Sequence, residues 1–104
     1  MMLQRSHIEV PENRINEFCI AHHIRSLSFF GSVLWDDFRK NSDIDVLVEF
    51  EKGYTPGFFK LLEMEEELSS ILGNRKIDLR TPEDLSRHFR DNVLREKEVC
   101  YEKV

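Results

Sequence analysis

Residues 29–50, FFGSVLWDDFRKNSDIDVLVEF, contain the pattern that decides the fold. Apolar residues run up to a Gly31-Ser32 pair, and after ten intervening residues a second, alternating apolar run begins at Asp43. This order predicts a strand, a tight turn, a short helix and a second strand. Because residues two apart on a strand point to the same face, Asp43 and Asp45 would lie side by side, roughly 6–7 Å apart at Cα.

The two carboxylates and the glycine–serine turn are the parts from which a phosphate-binding metal site can be built. Two like charges on a rigid element raise each other's pKa, and a divalent cation such as Mg²⁺ relieves the repulsion. Glycine lets a phosphate approach the backbone, and Ser32 with the N–H groups after it could bind that phosphate. An isolated Asp-x-Asp is more often a solvated strand end, so the metal interpretation depends on the Gly31-Ser32 pair upstream.

The rest of the chain alternates between helix and strand patterns. Periodic apolar residues predict helix 11–22, strand 25–30, helix 32–38, strand 43–50, helix 55–72, strand 75–80 and a helical region from 82 to the end. Thr55 would cap the third of these helices, and Thr81 with Asp84 matches a capping box at the start of the last region. We therefore expect an α/β (α+β) fold in one domain over residues 1–104, with a small mixed sheet flanked by helices.

Composition and charge narrow the class of protein. The chain has 104 residues, a net charge of −5 and two cysteines, Cys19 and Cys100, each in a predicted amphipathic helix. A negative chain lacks the basic face that backbone-driven nucleic-acid binding needs, and no apolar run has the length of a membrane span. We expect free thiols, no zinc site, no direct nucleic-acid or membrane partner, and a cytoplasmic location.

A third carboxylate stands in the short strand predicted over residues 75–80. Asp78 lies between Ile77 and Leu79 in this otherwise apolar segment. Alone, it could be an edge-strand charge that faces water. Beside a carboxylate pair on a neighbouring strand, it is better interpreted as a third ligand of the same metal site.

Gly31-Ser32, ten residues and Asp43-x-Asp45 together resemble the signature of the DNA polymerase β-type nucleotidyltransferase superfamily. More narrowly, the stretch is similar to the minimal nucleotidyltransferases (MNT proteins) of prokaryotes. The similarity is strong over about residues 24–80 and continues through KIDLRTPEDL towards the C-terminus. It implies the nucleotidyltransferase (polymerase β-like) fold, with the active site on one face of the sheet.

The resemblance also implies a role for each candidate residue. Asp43, Asp45 and Asp78 would be catalytic and would bind two Mg²⁺ ions about 4 Å apart, with Asp78 nearest the attacking hydroxyl and able to accept its proton. Gly31 and Ser32 would hold the β- and γ-phosphates of ATP, the substrate. Asp43 and Asp45 would bridge the two ions and so contribute to nucleotide binding as well.

MNT proteins are commonly encoded beside a helical HEPN protein, often an RNase toxin, and act as its antitoxin. The resemblance therefore implies a protein adenylyltransferase that moves AMP from ATP onto a tyrosine of a HEPN toxin within a hetero-oligomer and neutralises it. Two alternatives stay open: a non-catalytic module that inhibits a HEPN partner by occlusion, and a transferase for a small-molecule hydroxyl. The three aspartates favour an enzyme over a pure binder, and the short chain, without a second substrate domain, counts against the small-molecule transferase.

The sequence departs from the family pattern shortly after the glycine–serine pair. Many relatives read Gly-Ser-x-Ala-Arg-Gly, whereas this chain has Trp35 and Asp36 in place of the Arg and Gly. A guanidinium can bind phosphate through two hydrogen bonds, so its loss would weaken catalysis unless Arg39 or Lys40 supplies the charge. Trp35 itself could be a core residue, an anchor in a partner interface or a base-stacking surface.

Overall fold

The computed structural model describes residues 7–35, 38–39 and 41–103. Its helices and strands, in chain order, are α1 Glu12–Ala21, β1 Ile24–Phe30, a 3₁₀ helix Gly31–Leu34, β2 Ile44–Phe50, α2 Phe58–Ile71, β3 Ile77–Arg80, a second 3₁₀ helix Pro82–Asp84, α3 Arg87–Glu96 and β4 Glu98–Glu102. Among these residues, no helix combines the length and the apolar character that a membrane crossing needs.

The sheet is mixed, as the sequence predicts. The described strands lie in the order β3-β2-β1-β4, with β1 antiparallel to both β2 and β4 and with β2 parallel to β3. Parallel strands need a long crossover connection, and α2 supplies it between β2 and β3. The two strands that carry the candidate aspartates are therefore neighbours that run in the same direction.

The main core lies on one face of the sheet, beneath α1 and α2. The alternation in β2 explains this, because Ile44, Val46 and Val48 all point to that face and are fully buried. Phe18 of α1 and Met64 of α2 pack in the same cluster. The opposite face has a smaller buried cluster, formed by Phe30, Leu47, Leu85 and Val93. This second face, partly covered by the C-terminal segment, is the one that the aspartates share.

Most element bounds agree with the sequence, with differences at helix starts. The capping box is present, since the Asp84 carboxylate accepts hydrogen bonds from the N–H and the hydroxyl of Thr81, both at 3.1 Å. The prediction that Thr55 caps α2 was wrong, because the helix begins at Phe58 after an extended Gly57. The helix predicted over residues 32–38 is the 3₁₀ helix that ends at Leu34; positions 36–37 lie outside the described residues.

The C-terminal segment is where the helix prediction was wrong. Helix α3 ends at Glu96, and the chain then forms β4, which pairs antiparallel with β1 so that Leu27 faces Tyr101. The physical reason is that the edge of β1 away from β2 would otherwise have unpaired N–H and C=O groups. A segment that adds a strand at this edge forms hydrogen bonds with them. Cys100 therefore lies on a strand rather than a helix, and both it and Cys19 are free thiols, as expected.

Candidate active site

The structure brings the predicted carboxylates together at one end of the β2–β3 pair. Asp45 lies directly opposite Asp78 in the parallel register, and strands so paired are about 4.8 Å apart. Asp43 immediately precedes β2, two residues before Asp45 and on the same face. Three side chains from two segments more than thirty residues apart in sequence thus form one acidic cluster.

Asp45 is the member of this cluster whose pKa is clearly raised. Burial, followed by the negative charges of Asp78 and Asp43, raises its pKa to about 6, although the Arg80 guanidinium opposes the shift. A carboxyl group with such a pKa is held beside like charges in a partly desolvated place. Groups of this kind occur preferentially where a protein binds cations or performs proton transfer.

The other two aspartates each have a cation beside them. Arg80 donates two hydrogen bonds to Asp78, from Nε to Oδ1 at 2.9 Å and from Nη2 to Oδ2 at 3.3 Å. Lys76 Nζ lies 3.9 Å from Asp43 Oδ2. Arg80 is not among the site residues predicted from the sequence, although the spacing contained the signal, because residues 78 and 80 of a strand share a face.

The Asp45 carboxylate lies so close to Gly31 that it leaves no room for a side chain there. Its φ is +75°, a left-handed conformation that favours glycine, and a Cβ atom added there would lie 2.3 Å from Asp45 Oδ2. The register of β1 with β2 explains the contact, since Phe30 lies opposite Asp45 and the turn that follows must pass over that carboxylate. Ser32 is the next residue, half-buried in the 3₁₀ helix. The motif residues Gly31 and Asp45 are thus in direct proximity.

The donor set suits a hard divalent cation. Carboxylate oxygens are the ligands that Mg²⁺ takes from proteins. Burial and then the charges of Asp78 and Asp43 raise the pKa of Asp45, and such an ion would neutralise this negative charge. Within the part of the chain that the structure describes, no three acidic, histidine or cysteine side chains already converge as a metal-binding group. Asp78 and Asp43 point to Arg80 and Lys76 instead, so ion binding would exchange these partners for the metal.

A cleft of about 220 Å³ opens beside the Asp45–Asp78 pair. Its walls come from β1, β2, β3 and the C-terminal segment; they are formed by Phe30, Asp45, Asp78, Arg80, Asp84, Leu85, Ser86 and Phe89. One wall is charged, whereas the Phe89 ring, 49% exposed, packs edge-to-face against the buried Phe30 with ring centroids 6.2 Å apart. Phe89 lies in the segment predicted only as helical from residue 82 onwards, and no sequence signal distinguished it from the other apolar residues there.

The substituted motif positions are only partly described. Trp35 is 47% exposed, which excludes the core-packing interpretation for its side chain. Asp36 and Lys40 lie outside the described residues, and Arg39 is exposed on the surface. The cation that lines the cleft is Arg80, on the β3 side of the site.

Residues 13–104 match the family described as polymerase beta, nucleotidyltransferase. The chain belongs to this family. It is also 37% identical to the protein adenylyltransferase MntA of Thermococcus cleftensis over 73 residues, which cover 70% of this chain and 71% of the relative. A predicted protein adenylyltransferase of Methanocaldococcus jannaschii is 38% identical over 73 residues, which cover 70% of this chain and 81% of that one.

Two solved structures have the same fold as this chain. A predicted minimal nucleotidyltransferase is 31% identical with a TM-score of 0.66, over 83% of this chain and 85% of that one. A toxin–antitoxin crystal structure with AMP-PNP has a TM-score of 0.72 at 21% identity, over 90% of this chain and 75% of that one. The fold class predicted from the sequence, a nucleotidyltransferase domain with a small mixed sheet, is therefore confirmed.

Proposed function

We propose that this chain is a Mg²⁺-dependent protein adenylyltransferase that moves AMP from ATP onto a tyrosine of a HEPN-class toxin, and that it acts as the toxin's antitoxin in the cytoplasm. The observation that carries this proposal is the cluster of Asp43, Asp45 and Asp78 beside the Gly31 turn, in a chain of the nucleotidyltransferase family. The names of its relatives, a protein adenylyltransferase and a toxin–antitoxin solved with AMP-PNP, support the acceptor and the nucleotide.

The chain's own residues would bind and orient the reactants. Asp43, Asp45 and Asp78 would hold Mg²⁺, which when bound supplies positive charge that neutralises the phosphate oxygens. The absence of a side chain at Gly31 leaves room for a phosphate beside Asp45, and the Ser32 hydroxyl would donate a hydrogen bond to that phosphate. Holding both reactants in line removes much of the entropic barrier to transfer.

The reaction balances without any further reactant. The tyrosine oxygen forms a bond to the α-phosphorus of ATP, the bond from that phosphorus to the oxygen bridging to the β-phosphate breaks, and pyrophosphate leaves with the bonding electrons. The phenolic proton would pass to a carboxylate oxygen of Asp78, which lines the cleft. The product is a tyrosine joined to AMP through a phosphodiester bond.

The test is transfer of AMP to the protein encoded next to this chain. The purified pair is incubated with Mg²⁺ and ATP, and the intact masses of both proteins are recorded. We expect the neighbour to gain the mass of one or more AMP groups, and we expect no gain with the Asp43→Asn/Asp45→Asn variant. Asp91→Asn, the same substitution at an exposed position of α3, is the matched control and should transfer normally.

The same experiment separates the alternatives. A stable complex with no mass change would show that the chain inhibits by binding alone. AMP found only on a small-molecule hydroxyl, with the neighbour unmodified, would show a transferase of a different class. Replacing the modified tyrosine of the neighbour by phenylalanine should abolish the mass gain, because the acceptor oxygen is then absent.

A further inference from the structure

We infer that Phe89 binds the aromatic ring of the acceptor, and so makes the site select a phenolic hydroxyl over an aliphatic one. This inference deepens the proposed function and rests on it, since it names the residue that recognises the tyrosine. The observation behind it is the cleft beside the carboxylates, whose lining combines the Phe89 ring with the charged side chains of Asp45 and Asp78.

The size of the cleft fits one ring. Its volume is about 220 Å³, below the roughly 300–1,000 Å³ of pockets that enclose whole drug-sized ligands. A nucleoside triphosphate would not be enclosed there, whereas a single aromatic side chain would. The described lining also omits Gly31 and Ser32, the residues proposed to hold phosphate, so the cleft and the phosphate-binding turn do not coincide.

The chemistry of the two walls matches a phenol. Phe89 presents a half-exposed ring, fixed from behind by the buried Phe30 at 6.2 Å and an interplanar angle of 70°. A second ring that packs on Phe89 would cover apolar surface that is otherwise exposed to water. Its hydroxyl end would then point to the charged part of the same cleft, where Asp45 and Asp78 lie side by side.

An aliphatic acceptor cannot use both walls at once. A serine or threonine hydroxyl that reaches Asp78 has no ring to place on Phe89, so the apolar wall stays hydrated. Aromatic pairs contribute about 0.5–1.5 kcal/mol beyond the area that they bury, which corresponds to roughly two- to twelve-fold in affinity. We therefore expect Phe89 to contribute a preference of about this size, separate from any contact that the rest of the partner makes.

The first experiment measures binding and does not depend on transfer. Amide NMR spectra of the full chain are recorded while N-acetyl-tyrosinamide, N-acetyl-phenylalaninamide or N-acetyl-serinamide is added. We expect tyrosinamide to shift the signals of residues 78–89, phenylalaninamide to shift those near Phe89, and serinamide to shift neither. Phe89→Leu, which keeps an apolar side chain but loses the ring, should weaken tyrosinamide binding by roughly two- to twelve-fold.

Two further variants make the result specific. Phe89→Tyr keeps a ring and should retain the binding. Phe59→Leu makes the same substitution as Phe89→Leu at an exposed phenylalanine, 80% accessible on α2, and should leave binding unchanged. The inference is overturned if tyrosinamide does not shift the cleft signals, or if Phe89→Leu binds as well as the unmodified chain. It is also overturned if ATP, rather than tyrosinamide, loses affinity in Phe89→Leu, because the ring would then contact the nucleobase.

A transfer assay then separates this inference from the proposed function. With the neighbouring protein as acceptor, Phe89→Leu should raise the KM for the acceptor by roughly two- to twelve-fold while the KM for ATP stays constant. If the unmodified chain transfers AMP and Phe89→Leu transfers equally well, the inference fails and the proposed function stands. If tyrosinamide binds through Phe89 but no AMP is transferred, the proposed function fails, whereas the inference that Phe89 binds an aromatic ring stands.

Discussion

A single glycine controls the position of the most perturbed carboxylate. Gly31 combines a left-handed φ of +75° with a contact so close that a methyl group would lie 2.3 Å from Asp45 Oδ2. Asp45 in turn lies opposite Asp78, so a displacement at the turn passes to the acidic pair. Gly31 therefore has a structural role in placing the site, besides the room that it leaves for phosphate.

Replacing Gly31 by alanine should damage transfer far more than folding. The left-handed backbone alone costs about 1 kcal/mol, whereas moving a reacting group by about 1 Å can cost on the order of a hundredfold in rate. We expect AMP transfer to fall at least tenfold, measured by intact mass over time, at a temperature where the variant is folded. Gly53→Ala is the matched control, because Gly53 has a φ of +92° but nothing within 4 Å of an added Cβ. Equal loss of transfer in both variants would contradict the proposed role of Gly31.

Asp45 should make the metal-free protein less stable as the pH rises. Its pKa is about 6 in the folded chain and about 3.9 when unfolded, so between these values the folded state binds more protons. The free energy of unfolding therefore falls from pH 4 to pH 6 on account of this group. Asp45→Asn should be more stable than the unmodified chain by about 1 kcal/mol at pH 8, a value reduced for partial exposure, and equal to it near pH 4.

Urea unfolding with EDTA at the two pH values measures this difference. Asp91→Asn, at an exposed site, should show no pH-dependent difference from the unmodified chain. A stability advantage of Asp45→Asn that is the same at pH 4 and pH 8 would show that the pKa of Asp45 is not raised by folding.

At the scale of elements, strand β3 is supported by a helix side chain. Leu79 donates its backbone N–H to Glu65 Oε2 of α2 at 2.8 Å, on the side of β3 that has no neighbouring strand among the described residues. The helix that carries Glu65 was predicted from the sequence, but its contact with β3 was not. Glu65 thus closes part of the free edge that carries Asp78 and Arg80.

Glu65→Ala should destabilise the chain by about 1–3 kcal/mol, because it leaves the partly buried N–H of Leu79 without an acceptor. Glu65→Gln keeps a carbonyl that can accept the bond and should lose less. Glu66→Ala, on the exposed side of the same helix turn, is the control and should change the free energy of unfolding by no more than about 0.5 kcal/mol. Urea denaturation compares the variants; equal effects of Glu65→Ala and Glu66→Ala would contradict the role given to the contact.

Elements and site residues were predictable from sequence to different extents. The strands with Phe30, Asp45 and Asp78 follow from local alternation and from the family motif, and the structure places them as neighbours. Strand β4 did not follow, because its pairing with β1 joins residues about seventy positions apart, and the sequence around Cys100 contains no signal for that pairing. Phe89 was missed for the same reason, since its place in the cleft depends on the packing of α3 against Phe30.

At the scale of the whole molecule, the main hydrophobic core and the candidate site lie on opposite faces of one sheet. The larger buried cluster joins the sheet to α1 and α2, whereas the aspartates share the face that has only the smaller cluster. Asp43 is half-exposed beside Lys76, so its substitution removes little buried structure. Substitutions on the two faces should therefore separate folding from transfer.

Met64→Ala and Asp43→Asn should show this separation in opposite ways. Met64 is fully buried in the main core, so its truncation should lower the free energy of unfolding by about 2–4 kcal/mol and Tm by about 10 °C or more, while transfer well below Tm persists. Asp43→Asn should change Tm by no more than a few degrees and abolish transfer, because it removes a proposed metal ligand. Leu62→Ala, at an exposed position of the same helix, is the control for Met64 and should alter neither quantity. Thermal unfolding combined with the mass assay tests all three variants; loss of transfer in folded Met64→Ala would show instead that the core face sets the geometry of the site.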